Sequence, residues 1–279
     1  MKKLSIITIN RNNSAGLRKT IESVVSQTFT DYEYIVIDGA STDDSVDVIG
    51  KYADKIHYWV SESDNGIYNA MNKGIEQAKG EYIQFLNSGD WFYSDKVLNE
   101  VFGTVRTEDI IYGDAVLYKN DLQFTNFIYP AKLTAFYLIN WMICHQAIFH
   151  KRTLFQYRNY NEKYKIVADW EFLLNAFIIE NCTSLKVNNF IIFNDGHGVS
   201  SDYDLVKKER DEVLEKYLPK KIIEDYSEYY ELKELSNKSS LFPFLSIFQN
   251  IPDLQRLLKK IMKVLLIITG NKEKIPSEK

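Results

Sequence analysis

Carboxylates follow three of the apolar, strand-sized segments in the first hundred residues of the chain. Asp38, Asp64 and Asp90 occupy these positions. An acidic residue at the end of a strand can hold a ribose, and a carboxylate can hold a divalent cation that bridges diphosphate oxygens. The residue types and their placement therefore indicate chemistry on a nucleotide.

The segment Asn87-Ser88-Gly89-Asp90 is the candidate cation site, because it follows directly after a buried strand. A segment of this type on its own is more often a turn, in which Asn87 forms an Asx-turn and Asp90 caps the next element. His197, in a glycine-rich loop after another apolar strand, is a second candidate ligand. We therefore expect a divalent metal, Mn²⁺ or Mg²⁺, at Asp90 with His197.

Strand-like and helix-like periodicities alternate in this region and predict the elements that position the carboxylates. The predicted strands are residues 4–9, 34–37, 56–60 and 82–86, and the predicted helices are residues 15–27, 44–52 and 67–79. Gly80 is expected to cap the last of these helices. Continuously apolar strands separated by helices indicate an α/β fold, with a mostly parallel sheet covered by helices on both faces. Ligands of such sheets bind beyond the carboxyl ends of the strands, where all three carboxylates lie.

The pattern is less regular beyond Gly113. The sequence there predicts a strand at residues 146–149 and helices at about residues 168–180 and 202–217. We expect this part to complete the sheet and to form the pocket of a second substrate. A soft domain boundary is expected near Pro219.

Composition and missing motifs exclude several classes of protein. A net charge of −4 over 279 residues provides no basic field for a long nucleic acid. The turn after the first strand holds a single glycine, Gly16, which argues against an NAD-binding fingerprint, and a phosphate-cradling Gly-x-x-x-x-Gly-Lys-Ser/Thr loop is absent. Cys144 and Cys182 fit free thiols in a reducing compartment. With neither a signal peptide nor a run of about 18 apolar residues, the chain is expected to be cytoplasmic.

Several stretches resemble, in the correct order, the amino-terminal signature of family 2 glycosyltransferases. They are Ser5-Ile6-Ile7-Thr8-Ile9-Asn10, Ile21-Glu22-Ser23-Val24 with Gln27-Thr28, Ile37-Asp38-Gly39-Ala40-Ser41-Thr42-Asp43, Ser61-Glu62-Ser63-Asp64-Asn65-Gly66-Ile67-Tyr68, its continuation Asn69-Ala70-Met71-Asn72-Lys73-Gly74, and Gly80-Glu81-Tyr82-Ile83. The pattern is similar to bacterial members that assemble capsule, O-antigen and exopolysaccharide. The resemblance covers about the first 95 residues and implies a GT-A fold, a nucleoside-diphosphate sugar donor and inversion at the anomeric carbon.

The resemblance also implies roles on the donor side. Thr8 and Asn10 would line the nucleotide pocket, Asp38 would hydrogen-bond the base, commonly uracil, and Asp64 would border the same pocket. Asp90 matches the last aspartate of the metal-binding motif. Asn87 and Gly89 stand where further carboxylates are often found, and fewer charges imply weaker metal binding.

Ala168-Asp169-Trp170-Glu171 opens a predicted helix and resembles the acidic motif on the acceptor side of the family, with Ala168 in place of the usual glutamate. An inverting transfer needs one carboxylate to take the proton of the acceptor hydroxyl, and the resemblance gives that role to Asp169. Glu171 is the alternative base. The pair His145-Gln146 resembles a segment near the acceptor, so these two residues and Trp170 are further candidates there.

We therefore predict a hexosyl-type, inverting glycosyltransferase that uses a nucleoside-diphosphate sugar, UDP-sugar above all, and a glycan or lipid-linked acceptor in cell-surface polysaccharide synthesis. Residues 1–113 would form the donor-binding half, and residues 114–218 the acceptor-binding and catalytic half of the same domain. An inactive nucleotide-sugar-binding scaffold subunit and a sugar nucleotidyltransferase are the alternatives. A nucleotidyltransferase typically needs a glycine-rich, basic phosphate loop after the first strand, and this sequence has no such loop.

Residues 219–279 are predicted to form a C-terminal helical tail. Apolar residues at helical spacing between positions 253 and 268 alternate with four cations, Arg256, Lys259, Lys260 and Lys263. A basic amphipathic helix of this type can lie on an anionic membrane surface. It can equally dock on its own catalytic domain or on a second copy in a homo-oligomer. We favour peripheral contact with the inner face of the cell membrane.

Overall fold

A computed structural model of the chain describes residues 2–118, 124–196, 202–238, 260–261 and 263–264. The contacts divide the chain into two units, Met1–Leu218 and Pro219–Lys279, which are described separately below. His197 lies outside the described residues, as does nearly all of the predicted tail helix.

Strands and helices alternate through the first unit. The strands are β1 (Leu4–Asn10), β2 (Tyr32–Asp38), β3 (Tyr58–Ser61), β4 (Tyr82–Phe85), β5 (Trp91–Phe92), β6 (Ile110–Tyr118), β7 (Phe124–Phe127), β8 (Ile148–Lys151) and β9 (Ser184–Asp195). The helices are α1 (Ser14–Val25), α2 (Ser45–Lys51), α3 (Ile67–Gln77), α4 (Val97–Phe102), α5 (Ala135–Asn140), α6 (Ala168–Leu174) and α7 (Tyr203–Tyr217). The predicted helix at residues 168–180 is α6 continued by one π-helical turn, Asn175–Ile179.

These strands form one nine-stranded sheet in the order β3-β2-β1-β4-β8-β6-β9-β5, with β7 paired to β6. The first four strands of that order are mutually parallel, and the pairing is mixed beyond them. In register, Asn10 pairs with Asp38, and Asp38 pairs with Ser61. The carboxyl ends of β1, β2 and β3 therefore meet at one edge.

Helices cover both faces of the parallel part of the sheet. Alternate residues of β1 point to opposite faces, so Leu4 and Ile6 pack in the core cluster with apolar residues of α1 and α2. Ile7 faces the other way, where Gly74 of α3 lies against its side chain so closely that a Cβ could not fit. The predicted α/β sheet with helices on both faces is confirmed.

The second half of the sheet is built on β6, which pairs with β7, β8 and β9. The register between β6 and β9 shifts on both sides of Asp114, next to Gly113, whose Cα lies against Ile191 and the Asn189 carbonyl. β6 runs continuously through residues 113 and 114, the position at which the two predicted halves meet.

Two local predictions were wrong. Gly80 does not cap α3, which ends at Gln77 with Ala78 as its C-cap. A Cβ at Gly80 would lie 2.5 Å from the backbone nitrogen of Ser5, so close packing against β1 requires the glycine. The strand expected at residues 146–149 begins only at Ile148, because the preceding His145–Ala147 forms a 3₁₀ turn.

In the second unit the structure describes one long helix, α8 (Lys220–Lys238), and a few residues near position 260. Within the described part of the chain, no helix is both long enough and apolar enough to cross a membrane.

Candidate active site

A cavity of about 680 Å³ opens beside the carboxyl ends of β4 and β9 and the amino-terminal end of α6. Its polar lining includes four residues singled out from the sequence, Asp90, His145, Gln146 and Asp169. The fold therefore brings together groups that lie up to 79 positions apart in the chain.

Asp169 lies in the first turn of α6 and its side chain is nearly buried. Its Oδ1 accepts hydrogen bonds from the Tyr68 hydroxyl and the Trp170 amide, both at 2.8 Å. Its Oδ2 lies 2.9 Å from Nδ1 of His145. Burial alone would raise the pKa of Asp169, but these hydrogen bonds, that of His145 first, outweigh burial and hold the pKa below its ordinary value. The carboxylate is therefore ionised at neutral pH.

His145 links the Asp169 carboxylate to the loop after β4. Its Nδ1 donates to Asp169, and its Nε2 lies 3.1 Å from Nδ2 of Asn87. When Nδ1 carries the proton in the neutral ring, Nε2 accepts from the Asn87 amide. The His145 ring is thus held between the Asp169 carboxylate and the side chain of Asn87, which belongs to the candidate cation segment.

Asp90 lies on the opposite side of that loop and is 3% exposed. Gln146 donates to its Oδ2 at 2.7 Å, and the Asp195 amide and the Asn194 side chain donate to its Oδ1 at 2.8 and 3.1 Å. Burial raises the pKa of Asp90 to about 7, an effect that these donors reduce and the charge of Asp195 increases. Asp90 consequently changes charge near neutral pH.

Asp195 and Asn194 were not among the predicted site residues. Both end β9 and line the cavity, and the Asp195 carboxylate lies close to Gly89, which has a φ of +102°. The signal that would have found them is the one that found Asp38, a carboxylate directly after an apolar strand. Tyr68, the hydroxyl partner of Asp169, was also missed, although it belongs to a stretch that resembles the family.

Asp38 is buried at the end of β2 and has four protein donors. Oδ1 accepts from the Asn10 side chain at 2.7 Å and from the Ser41 hydroxyl. Oδ2 accepts from the Ser41 amide at 2.9 Å and from the Ser61 hydroxyl at 2.6 Å. Burial would raise the pKa of Asp38, but these hydrogen bonds lower it. A carboxylate has about four acceptor positions, so a nucleotide base can bond Asp38 only if one protein donor turns away.

Asp64 lies beside Asp38, although neither residue lines the cavity described above. Its carboxylate packs against the Cα of Gly39, where no Cβ could fit, and its Oδ1 accepts from the Gly66 amide at 3.0 Å. Arg11 lies near the same glycine. The predicted nucleotide residues Asn10, Asp38 and Asp64 are therefore grouped at one sheet edge.

Three predicted site residues lie in the core or between helices instead. The Thr8 hydroxyl is fully buried, 2.8 Å from the Leu86 carbonyl and 3.0 Å from the Tyr34 hydroxyl. Trp170 is buried and donates to the Leu138 carbonyl at 2.7 Å. Glu171 is buried against α7, with Lys216 at 3.0 Å and the Tyr217 hydroxyl as partners. None of the three lines the cavity.

The described residues contain no group of three His, Cys, Asp or Glu side chains that could hold a metal by themselves. Asp90 and the neighbouring Asp195 are the two carboxylates that adjoin the predicted cation segment. His197, the other predicted ligand, lies outside the described residues.

The mixed sheet, with carboxylates at its strand ends and a cavity beside them, places a candidate ligand site where α/β folds bind their ligands. The family model for glycosyl transferase family 2 matches residues 5–175, and the chain belongs to this family. It is a glycosyltransferase.

Relatives and solved structures agree with this assignment. The chain is 32% identical over 180 residues to the PGL/p-HBAD biosynthesis glycosyltransferase of Mycobacterium tuberculosis, covering 62% of this chain and 69% of that protein. It is 35% identical over 120 residues to the poly(ribitol-phosphate) beta-N-acetylglucosaminyltransferase TarP of Staphylococcus aureus, covering 40% of this chain and 36% of TarP.

Staphylococcus aureus TarS, residues 1–349, shares the fold. The TarS structure in complex with UDP-GlcNAc has a TM-score of 0.63 at 16% identity, covering 94% of this chain and 81% of that chain. The TarS structure with UDP has a TM-score of 0.58 at 17% identity, and the chain spans only 60% of that structure's length. This likeness confirms the predicted GT-A fold.

Proposed function

We propose that the protein transfers a hexosyl group from a UDP-sugar to a hydroxyl of a glycan or lipid-linked acceptor, with inversion at the anomeric carbon. The observation that carries the proposal is the Asp169 carboxylate, which is ionised, oriented by three hydrogen bonds and open to the cavity that Asp90 also lines. A single displacement needs such a base on the face of the sugar opposite the departing diphosphate.

Asp169 has the acceptor capacity that this role requires. Oδ1 takes two hydrogen bonds, whereas Oδ2 takes one among the described residues, which leaves a lone pair on Oδ2 for the acceptor hydroxyl. In the proposed reaction the hydroxyl proton moves to this oxygen as the new bond to the anomeric carbon forms. The bond from that carbon to the diphosphate breaks, and His145 keeps the carboxylate in position.

The donor nucleoside would bind at the edge formed by Asn10, Asp38 and Asp64. The uracil base fits a site with a buried carboxylate acceptor, provided that the Ser61 hydroxyl yields its place on Asp38. The structural neighbour TarS was solved with UDP and with UDP-GlcNAc, which supports a uridine nucleotide here. The fold supports no choice among sugars.

A divalent cation, Mn²⁺ or Mg²⁺, fits the donor set of Asp90 and Asp195. The Asp195 amide donates to Asp90, and the charge of Asp195 adds to the effect of burial, which raises the pKa of Asp90 to about 7. Oxygen ligands of this type suit both ions, with the remaining positions taken by diphosphate and water. When bound, the cation would stabilise the charge of the leaving diphosphate.

We assign the reaction to cell-surface polysaccharide synthesis, since one relative, TarP, is a poly(ribitol-phosphate) beta-N-acetylglucosaminyltransferase. Contact of the tail with the cytoplasmic membrane surface, or with a second copy of the chain, remains part of this proposal. It rests on the sequence pattern alone, as the tail helix lies outside the described residues.

The test compares two carboxylates of one helix. Asp169→Asn keeps the size of the side chain and should slow transfer by roughly 10²–10⁴-fold with donor binding nearly unchanged. Glu171→Gln is the matched control, because Glu171 is equally buried in α6 but contacts α7 and not the cavity. Its loss should lower stability and leave the pH dependence of turnover unchanged.

Release of UDP from UDP-sugars with a glycan acceptor panel measures turnover, and calorimetry with UDP and Mn²⁺ measures donor binding. Normal turnover in Asp169→Asn together with a large loss in Glu171→Gln would exchange the two roles. Nucleotide binding by the wild-type protein without any transfer or donor hydrolysis would favour the scaffold alternative.

A further inference from the structure

The cavity has an apolar wall opposite its polar side. Leu117 of β6 and Phe127 of β7 lie on the same face of the sheet, because Ala115 pairs with Phe127 and Leu117 pairs with Thr125. Both side chains line the cavity. Phe127 is 41% exposed, so its ring is available to a ligand.

Met142 and Ile143 continue this wall. Tyr129, two residues beyond Phe127, joins the two segments, since its hydroxyl accepts a hydrogen bond from the Cys144 amide at 3.0 Å. Met142 is 38% exposed. The apolar wall therefore consists of Leu117, Phe127, Tyr129, Met142 and Ile143, of which Phe127 and Met142 are the most exposed.

The charge of the cavity is unfavourable for an anionic acceptor. Among the described residues that line it, Asp90, Asp169 and Asp195 are acidic and Lys165 is the one lysine or arginine. A phosphate polymer needs several cationic or amide donors near each phosphate group. The described lining supplies carboxylates and an apolar wall instead.

We propose that the acceptor carries a neutral aryl or alkyl group next to the reacting hydroxyl, and that this group packs on the apolar wall. The inference rests on the proposed transfer at Asp169 and specifies its acceptor. The hydroxyl lies at the carboxylate, and the apolar group is removed from water by Phe127 and Met142. A polyanionic acceptor such as a ribitol-phosphate chain is disfavoured.

The experiment uses the full-length chain with UDP-sugars and three kinds of acceptor. These are p-nitrophenyl and octyl glycosides of common hexoses, the methyl glycosides of the same sugars, and ribitol-phosphate oligomers. We expect kcat/KM to be at least about 10-fold higher for the aryl or octyl glycoside than for its methyl counterpart, which is about half or more of what fully burying a phenyl ring provides.

Phe127→Ser and Met142→Ser should each remove most of that preference, by lowering kcat/KM for the aryl or octyl glycoside more than for its methyl counterpart. Phe124→Ser is the matched control, because Phe124 is another exposed phenylalanine of β7 that lies three residues from Phe127, on the opposite face, against Tyr118. It should keep the preference.

The outcomes separate the two proposals. Hydrolysis or transfer with equal use of methyl and aryl glycosides, or a preference for ribitol-phosphate, would overturn the inference and retain the transferase. A preference that Phe127→Ser, Met142→Ser and Phe124→Ser all leave intact would place the apolar group elsewhere and also overturn it. If no UDP-sugar is hydrolysed or transferred and UDP does not bind, the proposed function fails and the inference fails with it.

Discussion

Replacing Ser61 with alanine tests whether the Asp38 carboxylate receives the nucleotide base. In the structure Ser61 donates to Oδ2 at 2.6 Å, and Asn10 and Ser41 fill the other acceptor positions. A uracil N–H can reach Asp38 only by displacing one of these donors. Ser61 donates a single hydrogen bond to Asp38, and it belongs to β3, the edge strand of the sheet. We therefore expect Ser61 to be the donor that the base displaces.

The magnitude follows from the strength of a hydrogen bond to a charged group, about 1.5–3 kcal/mol. Removing the Ser61 hydroxyl should lower the free energy of unfolding at pH 7 by an amount of that order. The lowered pKa of Asp38 stabilises the fold above the pKa of the unfolded carboxyl, and this contribution disappears as the pH falls through the lowered value. Ser61→Ala should therefore reduce the difference in stability between neutral and acidic pH.

UDP binding should change in the opposite direction. In the variant the base no longer competes with Ser61, although water takes part of the vacated place, so we expect UDP to bind about 3- to 10-fold more tightly, or about 1 kcal/mol. Isothermal calorimetry with UDP and Mn²⁺ measures the affinity, and urea unfolding measures the stability.

Ser5→Ala is the matched control, since the buried Ser5 hydroxyl donates to the Glu33 carboxylate at the opposite end of β1 and β2. It should lose comparable stability with no change in UDP affinity. If Ser61→Ala binds UDP as the wild type does, and Asp38→Asn also leaves UDP affinity unchanged, then Asp38 only fixes the loop at Ser41 and does not contact the base.

Two further predictions concern groups whose pKa is displaced by burial. With a pKa of about 7, Asp90 is roughly 90% protonated at pH 6 and roughly 10% protonated at pH 8. Because the metal binds the deprotonated carboxylate, Mn²⁺ should bind the UDP complex about tenfold more tightly at pH 8 than at pH 6. Asp90→Ala should lack this increase in affinity. A wild-type increment no larger than that of Asp90→Ala would contradict this. His150 is buried with no hydrogen-bond partner on either ring nitrogen among the described residues, and burial lowers its pKa to about 3. The unfolded chain binds the proton first as the pH falls, so the wild type loses stability below about pH 6.5. The advantage of His150→Leu in unfolding free energy should then grow by about 2 kcal/mol between pH 8 and pH 5, and a pH-independent difference would refute it.

The early strands and helices could be predicted because the helices have a plain period and the strands are mostly apolar. That pattern placed Asp38 and Asp90 at strand ends, and a parallel sheet brings such ends to the same edge. The predictions failed where long-range packing decides the outcome. Gly80 is a glycine because β1 approaches it, and no local pattern records the approach of a strand 75 residues away.

The roles of the two carboxylates in α6 could not be separated from the sequence. Residues two apart on a helix point about 200° apart, so one faces the cavity and the other faces a second helix. Which one faces the cavity depends on where α7 packs, and its Lys216 and Tyr217 bind Glu171. The packing of β1 likewise decides the surroundings of Thr8, whose predicted place in the nucleotide pocket stays a prediction. Every residue of β1 is buried, and the Thr8 hydroxyl donates a hydrogen bond to the Leu86 carbonyl.

The carboxylates of Asp38, Asp90 and Asp169 differ in how far hydrogen-bond donors offset the effect of burial on their pKa. Asp38 and Asp169 each have donors sufficient to lower the pKa, whereas Asp90 keeps a raised pKa despite three donors, because it is deeply buried and lies near Asp195. In the proposed reaction a diphosphate brings further negative charge to this cavity, whose described lining offers Lys165 and His145 as the basic groups. Repulsion between the diphosphate and the pair Asp90 and Asp195 is relieved when a divalent cation enters with the nucleotide. The same electrostatics that favour this joint entry of metal and donor act against an anionic acceptor, which would arrive with no such cation.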